Sequence, residues 1–152
     1  MLRENISTAM KDAMKAREEK RVGTLRMMNA AIKNADIEAR GQGKEPLGDA
    51  DLMSLFQKMI KQRQESAELY DKGNRPELAQ AERAEIDIIQ GYLPQQMSDA
   101  EAGHAISALL QEINAETMKD MGRAMAALKE RFAGKMDFGK ASGKIKDLLA
   151  KK

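Results

Sequence analysis

The sequence is without cysteine and poor in histidine, proline and aromatic residues, which narrows the chemistry open to it. Among 152 residues there is no cysteine and no tryptophan, one histidine, three prolines and only 3% aromatics. Without cysteine there is no disulfide, no thiolate metal site and no cysteine nucleophile, which suits a reducing compartment and makes the cytoplasm the expected location. No apolar run approaches the roughly 20 residues that span a bilayer, and the N-terminus lacks the hydrophobic stretch of a signal peptide. A soluble, unprocessed protein is therefore expected. No segment joins bulky aromatics to a basic polar face, so a membrane partner is not expected either.

Catalytic constellations are equally scarce. His104 lies off the apolar stripe of its segment and reads as an exposed residue rather than a general base or a metal ligand. Glu18 and Glu19, and the acids Glu82, Glu85 and Asp87, resemble paired carboxylates only by count, because adjacent helix positions point apart. There is no glycine-rich phosphate loop. Neither a catalytic residue, nor a metal, nor a cofactor is expected.

What is present is a helical pattern. Alternating strand-like stretches never persist, β-branched residues are few, and the twelve methionines suit a core of packed helices. Leu2, Ile6, Ala9, Met10, Ala13 and Met14 recur at helical spacing, as do Val22, Leu25, Met28, Ile32 and Ala35 after a break expected near Arg21. Gly41 to Asp49 reads as a mobile loop. A third helix is expected from Asp49 or Asp51, capped by a carboxylate, through Leu52, Leu55, Phe56, Met59 and Ile60 to a stop at Gly73. Pro76 opens a fourth helix through Leu78, Ala81, Ile86 and Ile89, which Gly91 and Pro94 end.

Ser98 and Glu101 then form a capping-box signature, so residues 1–93 read as an N-terminal helical domain and 94–152 as a second one. In the second, Ala102, Ile106, Leu109, Leu110 and Ile113 mark a fifth helix. Met118, Met121, Met125, Leu128 and Phe132 mark a sixth starting near Thr117, and Ala141, Ile145, Leu148 and Leu149 a seventh. The expected fold is all-α: an N-terminal helical domain followed by a small three-helix C-terminal bundle.

Charge is distributed unevenly along this frame. Residues 118–152 carry ten bases against four acids, whereas residues 76–117 carry one base against eight acids. Such asymmetry points to a polyanionic partner. Gly122, inside a helical pattern, costs about 1 kcal/mol relative to alanine, so it reads either as tight packing or as backbone approach to a ligand. Gly134 to Gly143 reads as a flexible connector carrying Lys135 and Lys140, suited to following a phosphate backbone. Lys140 and Lys144 share one helix face, and Arg123 and Arg131 suit bidentate phosphate contacts. With no aromatic cluster for base stacking, structured RNA read by shape is the expected partner. A second basic stretch, from Arg3 to Lys44, alternates in sign along Lys11 to Arg21 and reads as a solvated surface.

The stretches TLRMMNAAIKNADIEAR (Thr24 to Arg40), KMIKQRQESAELYDKGNRPELAQAERAEIDIIQGYLPQQMS (Lys58 to Ser98) and KDMGRAMAALKERFAGKMDFGKASGKIKDLL (Lys119 to Leu149) resemble the GatB/YqeY family. The Tyr92-Leu93-Pro94 segment, Glu82 and Glu85, and the spacing of Met121, Gly122 and Met125 carry that resemblance. It implies two helical domains, the smaller related to the tRNA-holding tail of GatB-type subunits of aminoacyl-tRNA amidotransferases. Similar appendages occur on some glutaminyl-tRNA synthetases. By the same resemblance Lys119, Gly122, Arg123, Gly134 and Lys135 fall in the tail motif, with Arg123 and Ala124 departing from its commoner pattern.

The amidotransferase cradle is absent, so a carbon–nitrogen ligase label would belong to the larger enzyme. The expected function is that of a non-catalytic tRNA-binding accessory protein, using Lys119, Gly122, Arg123, Gly134, Lys135, Lys140 and Lys144. An aminoacyl-tRNA synthetase or amidotransferase is the candidate protein partner. The alternatives are a helical protein-interaction module whose methionine stripe contacts partner helices, and an association with amidotransferase activity.

Overall fold

The computed structural model describes residues 2–150, so Lys151 and Lys152 of the basic tail lie outside the described residues. The described residues form seven α-helices and one 3-10 turn, with no strand among them. The chain divides into two compact units, one ending at Leu93 and the other beginning at Pro94.

In the first unit α1 (Leu2–Lys15) packs on α2 (Glu19–Gly41), and α3 (Asp49–Lys72) and α4 (Pro76–Gln90) form a long helical hairpin that α2 also contacts. The stripes meet in a core whose fully buried members include Ile6, Leu25, Met28, Leu52, Phe56 and Ile89. Leu78, expected inward, is exposed, and Ala79 takes the buried position on that turn.

Four helix endings, those of α1, α2, α3 and the helix that ends at Glu112, follow one device. Arg17, Gly43, Asn74 and Asn114 all adopt left-handed backbone with φ of 58°, 73°, 59° and 54°. After each, the next residue's N–H returns to a carbonyl five residues earlier, as from Glu18 to Ala13, Lys44 to Ala39, Arg75 to Tyr70 and Ala115 to Leu110. This closure satisfies carbonyls the helix would otherwise leave unpaired. It moves two expected boundaries. The break after α1 falls at Arg17 rather than near Arg21, and Asn74 rather than Gly73 makes the reversal after α3, Gly73 having a φ of −83°.

The start of α3 also differs from expectation. Gly48 is its N-cap, without a side-chain capping bond, and the Asp49 carboxylate accepts the Leu2 N–H at 3.2 Å instead. The preceding loop is fastened rather than free at Leu47. Asp36 accepts the Leu47 N–H while Arg3 donates both to Asp36 and to the Leu47 carbonyl. Arg3 and then the Leu47 N–H hold the Asp36 carboxyl below the usual carboxylate range.

The second unit consists of α5 (Asp99–Glu112), the 3-10 turn Met118–Asp120, α6 (Met121–Arg131) and α7 (Phe138–Ala150). Its core includes Ile106, Leu109, Leu128 and Ile145. Ser98 and Glu101 form the expected capping box, each side chain accepting the other's backbone N–H at 3.1 Å. Met121 and Met125 pack against this core, whereas Met118 is 45% exposed.

Candidate functional site

The connector between α6 and α7 covers residues 132–137 only, so Lys140 and Gly143 lie in α7 and not in a flexible segment. The reason is a local cap. The Asp137 carboxylate accepts the backbone N–H groups of Gly139 and Lys140 at 2.8 and 3.3 Å, which satisfies two free donors of the first turn and starts the helix there. Gly134 turns the chain with a φ of 75°, a conformation that costs glycine nothing. The turn is held to residues just after Pro94. Gln96 Nε2 donates to the Gly134 carbonyl, and the Met97 N–H donates to the Lys135 carbonyl at 2.9 Å.

These constraints shape a cleft of about 500 Å³ between the start of α5 and the first turns of α7. Met97, Ala102, Ile106, Met136 and Ala141 give it apolar walls, and Lys140 and Lys144 line it from one face of α7. Gly103 is buried on the opposite wall. A Cβ added there would lie 2.5 Å from the Lys144 Nζ and 3.3 Å from its Cε, so the lysine stem is laid against bare helix backbone. Nothing in the sequence pattern singles out Gly103, because the pairing depends on the packing of α7 over α5.

The expected site residues separate into two groups. Gly134, Lys135, Lys140 and Lys144 gather at the cleft end of the unit. Lys119, Gly122 and Arg123 lie at the far end of α6, an 11-residue helix about 16 Å long. At that end Gly122 has open space where a Cβ would stand, which overturns the tight-packing explanation for it. Arg123 is engaged by its own chain. It donates to the Ile113 carbonyl at 2.6 Å and to Asp120 at 3.0 Å, which ties the α5–α6 connection together.

Asp120 also accepts the N–H groups of Glu116 and Thr117. The Glu116 N–H, then Arg123 and the Thr117 N–H, hold the Asp120 carboxyl at about 2. Arg131 is likewise committed, in a two-pronged pair with Glu112 at 2.6 and 2.8 Å. Arg131 keeps the Glu112 carboxyl below the usual range.

The lysines behave differently. Among the described residues, Lys119, Lys129, Lys135, Lys140, Lys144 and Lys146 are all exposed and none forms an ion pair. His104 is exposed as expected. No group of three or more histidine or acidic residues among the described residues is arranged to hold a metal ion.

The sequence matches the Yqey-like protein family over residues 3–149. It is also similar to proteins named "Altered inheritance of mitochondria protein 41, mitochondrial". The one from Lachancea thermotolerans is 40% identical over 111 residues, 72% of this chain and 58% of that protein. In Eremothecium gossypii the match is 34% identical over 55% of this chain and 44% of that protein. In Pyrenophora tritici-repentis it is 31% identical over 94% of this chain and 78% of that protein. The chain thus spans about half the length of the first two relatives.

Their naming as mitochondrial proteins overturns the expectation of a cytoplasmic one. That expectation rested on the lack of cysteine, which reports an absence of disulfides and does not name a compartment. No helix among the described residues is long and apolar enough to cross a membrane.

Proposed function

We propose, from the premise that the chain belongs to the Yqey-like protein family, that it is a non-catalytic accessory protein that contacts folded RNA of the tRNA class. In this reading the C-terminal bundle acts as a tRNA-holding appendage related to the amidotransferase tail, and an amidotransferase or an aminoacyl-tRNA synthetase is the enzyme it serves.

One observation carries the proposal. The arginines of the C-terminal unit are consumed by internal partners, while its described lysines stand unpaired in solvent. An ammonium group is a compact charge with three donors, suited to phosphate oxygens and poor at reading base edges. Among the described residues the exposed large apolar side chains are Met14, Met27, Ile37, Leu69, Leu78 and Met118, with no aromatic among them. Base stacking on single strands therefore has no platform, which favours a partner recognised by shape and phosphate position. Met121 and Met125 are occupied by their own core, which weighs against the methionine stripe as a protein-docking surface.

The test is binding of the purified protein to bulk tRNA at about 50 and about 200 mM salt. The comparison protein carries Lys119, Lys135, Lys140 and Lys144 changed together to Gln, with Arg123 retained because it closes the α5–α6 connection. Affinity is expected to fall steeply with salt, and the variant's logarithmic salt slope to be shallower by up to about 4. Absent binding, or an unchanged slope in the variant, overturns the proposal.

A further inference from the structure

The N-terminal unit has a basic face of its own. On α2, Arg26, Lys33 and Arg40 recur every seven residues and all three are exposed. A seven-residue repeat drifts only about 20° per step on a straight helix, so the three side chains fall on nearly one line. With a rise of about 1.5 Å per residue they stand about 10 Å apart and cover about 21 Å.

No described residue forms an ion pair with any of the three. The carboxylate closest to Lys33 and Arg40 by helix position is Asp36, and it is occupied by Arg3 and the Leu47 N–H. Glu38 projects more than 100° round the helix from the row by helical periodicity. Glu19 continues the line one step before Arg26, beside the positive end of α2, and so bounds the row with an acid. Beside the row runs a second line of exposed, uncharged residues: Gly23, Met27, Ala30, Asn34, Ile37 and Gly41. A Cβ added at Gly23 or Gly41 would meet nothing within 4 Å, so the line is open at its two ends, while Met27 and Ile37 stand out between them.

We infer that this α2 face is a second phosphate-contacting surface for the same folded RNA, which rests on the reading of the protein as an RNA-binding accessory. Three cations about 10 Å apart match a partner with a repeating array of negative charge and exceed the reach of a single small anion. Arg26 and Arg40, unlike Arg123 and Arg131, keep their guanidinium groups unengaged for two-pronged phosphate contacts. The gaps at Gly23, Ala30 and Gly41 let a duplex backbone approach the helix beside Met27 and Ile37. An anionic bilayer would instead be met by bulky apolar and aromatic side chains alongside the cations, and here the line offers only Met27 and Ile37, with no aromatic, among Gly23, Ala30, Asn34 and Gly41.

The experiment uses the full chain with Arg26→Gln, Lys33→Gln and Arg40→Gln combined, checked for unchanged helicity and melting. It is compared with wild type and with the C-terminal lysine variant, on bulk tRNA and on phosphatidylserine vesicles. The α2 variant is expected to show a salt slope shallower by about 3, so that the affinity lost between about 50 and about 200 mM salt shrinks by a factor of tens. Restoring charge with Arg26→Lys and Arg40→Lys in the native background should keep the slope. Wild-type binding to tRNA with an unchanged slope in the α2 variant overturns this inference and leaves the C-terminal reading intact. Failure of the wild type to bind tRNA overturns both. Vesicle binding lost in the α2 variant, with tRNA binding untouched, assigns the face to a lipid surface and also overturns the inference.

Discussion

Both units spend arginine on internal pairs, but the N-terminal unit also leaves arginine facing outward. In the C-terminal unit Arg123 and Arg131 hold helices and connections together, and the outward charge is left to lysine. In the N-terminal unit Arg3, Arg63 and Arg83 bridge helices through Asp36, Glu85 and Asp71, but Arg26 and Arg40 remain outward beside Lys33. Exposure does not decide which role an arginine takes, since the Arg131 side chain is 45% exposed and still paired. What decides it is whether a packed neighbour presents an acid or a carbonyl within reach. Counting bases along a sequence therefore overstates the charge available to a partner, and it does so mostly for arginine.

The contrast is broken most severely through the cores. Phe56→Ala should cost about 3–5 kcal/mol and Leu128→Ala about 2–5 kcal/mol, since both side chains are fully buried. In calorimetry each is expected to lower the transition of its own unit and leave the other in place; equal shifts of a single transition would show one cooperative body.

Acid provides the next separation. The folded Asp120 carboxyl sits at about 2, below its ordinary value near 4. Its contribution is therefore complete above about pH 4, declines as pH falls, and is gone below about pH 2. Urea midpoints of the C-terminal unit should show that decline in wild type, and Asp120→Asn should begin less stable at neutral pH and show a shallower decline, the remainder coming from Glu101 and Glu112, which are also held below the usual range.

Ser98→Ala removes one half of the α5 capping box and is expected to cost about 1 kcal/mol, read as a lower urea midpoint of the C-terminal unit alone. The smallest effect sharpens the contrast. Gly103→Ala gains up to about 1 kcal/mol of helix preference but must push the Lys144 ammonium aside, and flexible lysine can yield. Melting should change little or rise, while low-salt tRNA affinity falls; unchanged affinity would show that the resting place of Lys144 is immaterial.

Much of the fold could be read from local signals. The all-α class follows from helical stripes with no competing alternation, and the Ser98–Glu101 box and Pro76 at the start of α4 are short-range devices written in neighbouring residues. The errors arise where a backbone conformation is carried by an unexceptional residue. Arg17 and Asn74 turn the chain where Arg21 and Gly73 were expected, because the left-handed closure is enforced by the hydrogen bonds around it. The candidate site was less legible still. Arg123 looks like a free cation until the Ile113 carbonyl, ten positions away, is seen to receive it. The cleft depends on Gly103 meeting Lys144, a relation between helices that no spacing within either one contains.

The fastening of Gln96 and Met97 to the α6–α7 turn bears on how the protein is made. Gln96 meets Gly134 across 38 positions of sequence, so its partner is added to the growing chain, and emerges, only after it. At about 5–20 residues per second that wait is about 2–8 seconds, long compared with the formation of individual helices. During synthesis the first unit has its entire sequence available before the segment after Pro94 acquires its anchor. Slower emergence of residues 98–134 would prolong the interval in which that segment is open to a chaperone or a protease, and completion of the turn would close it.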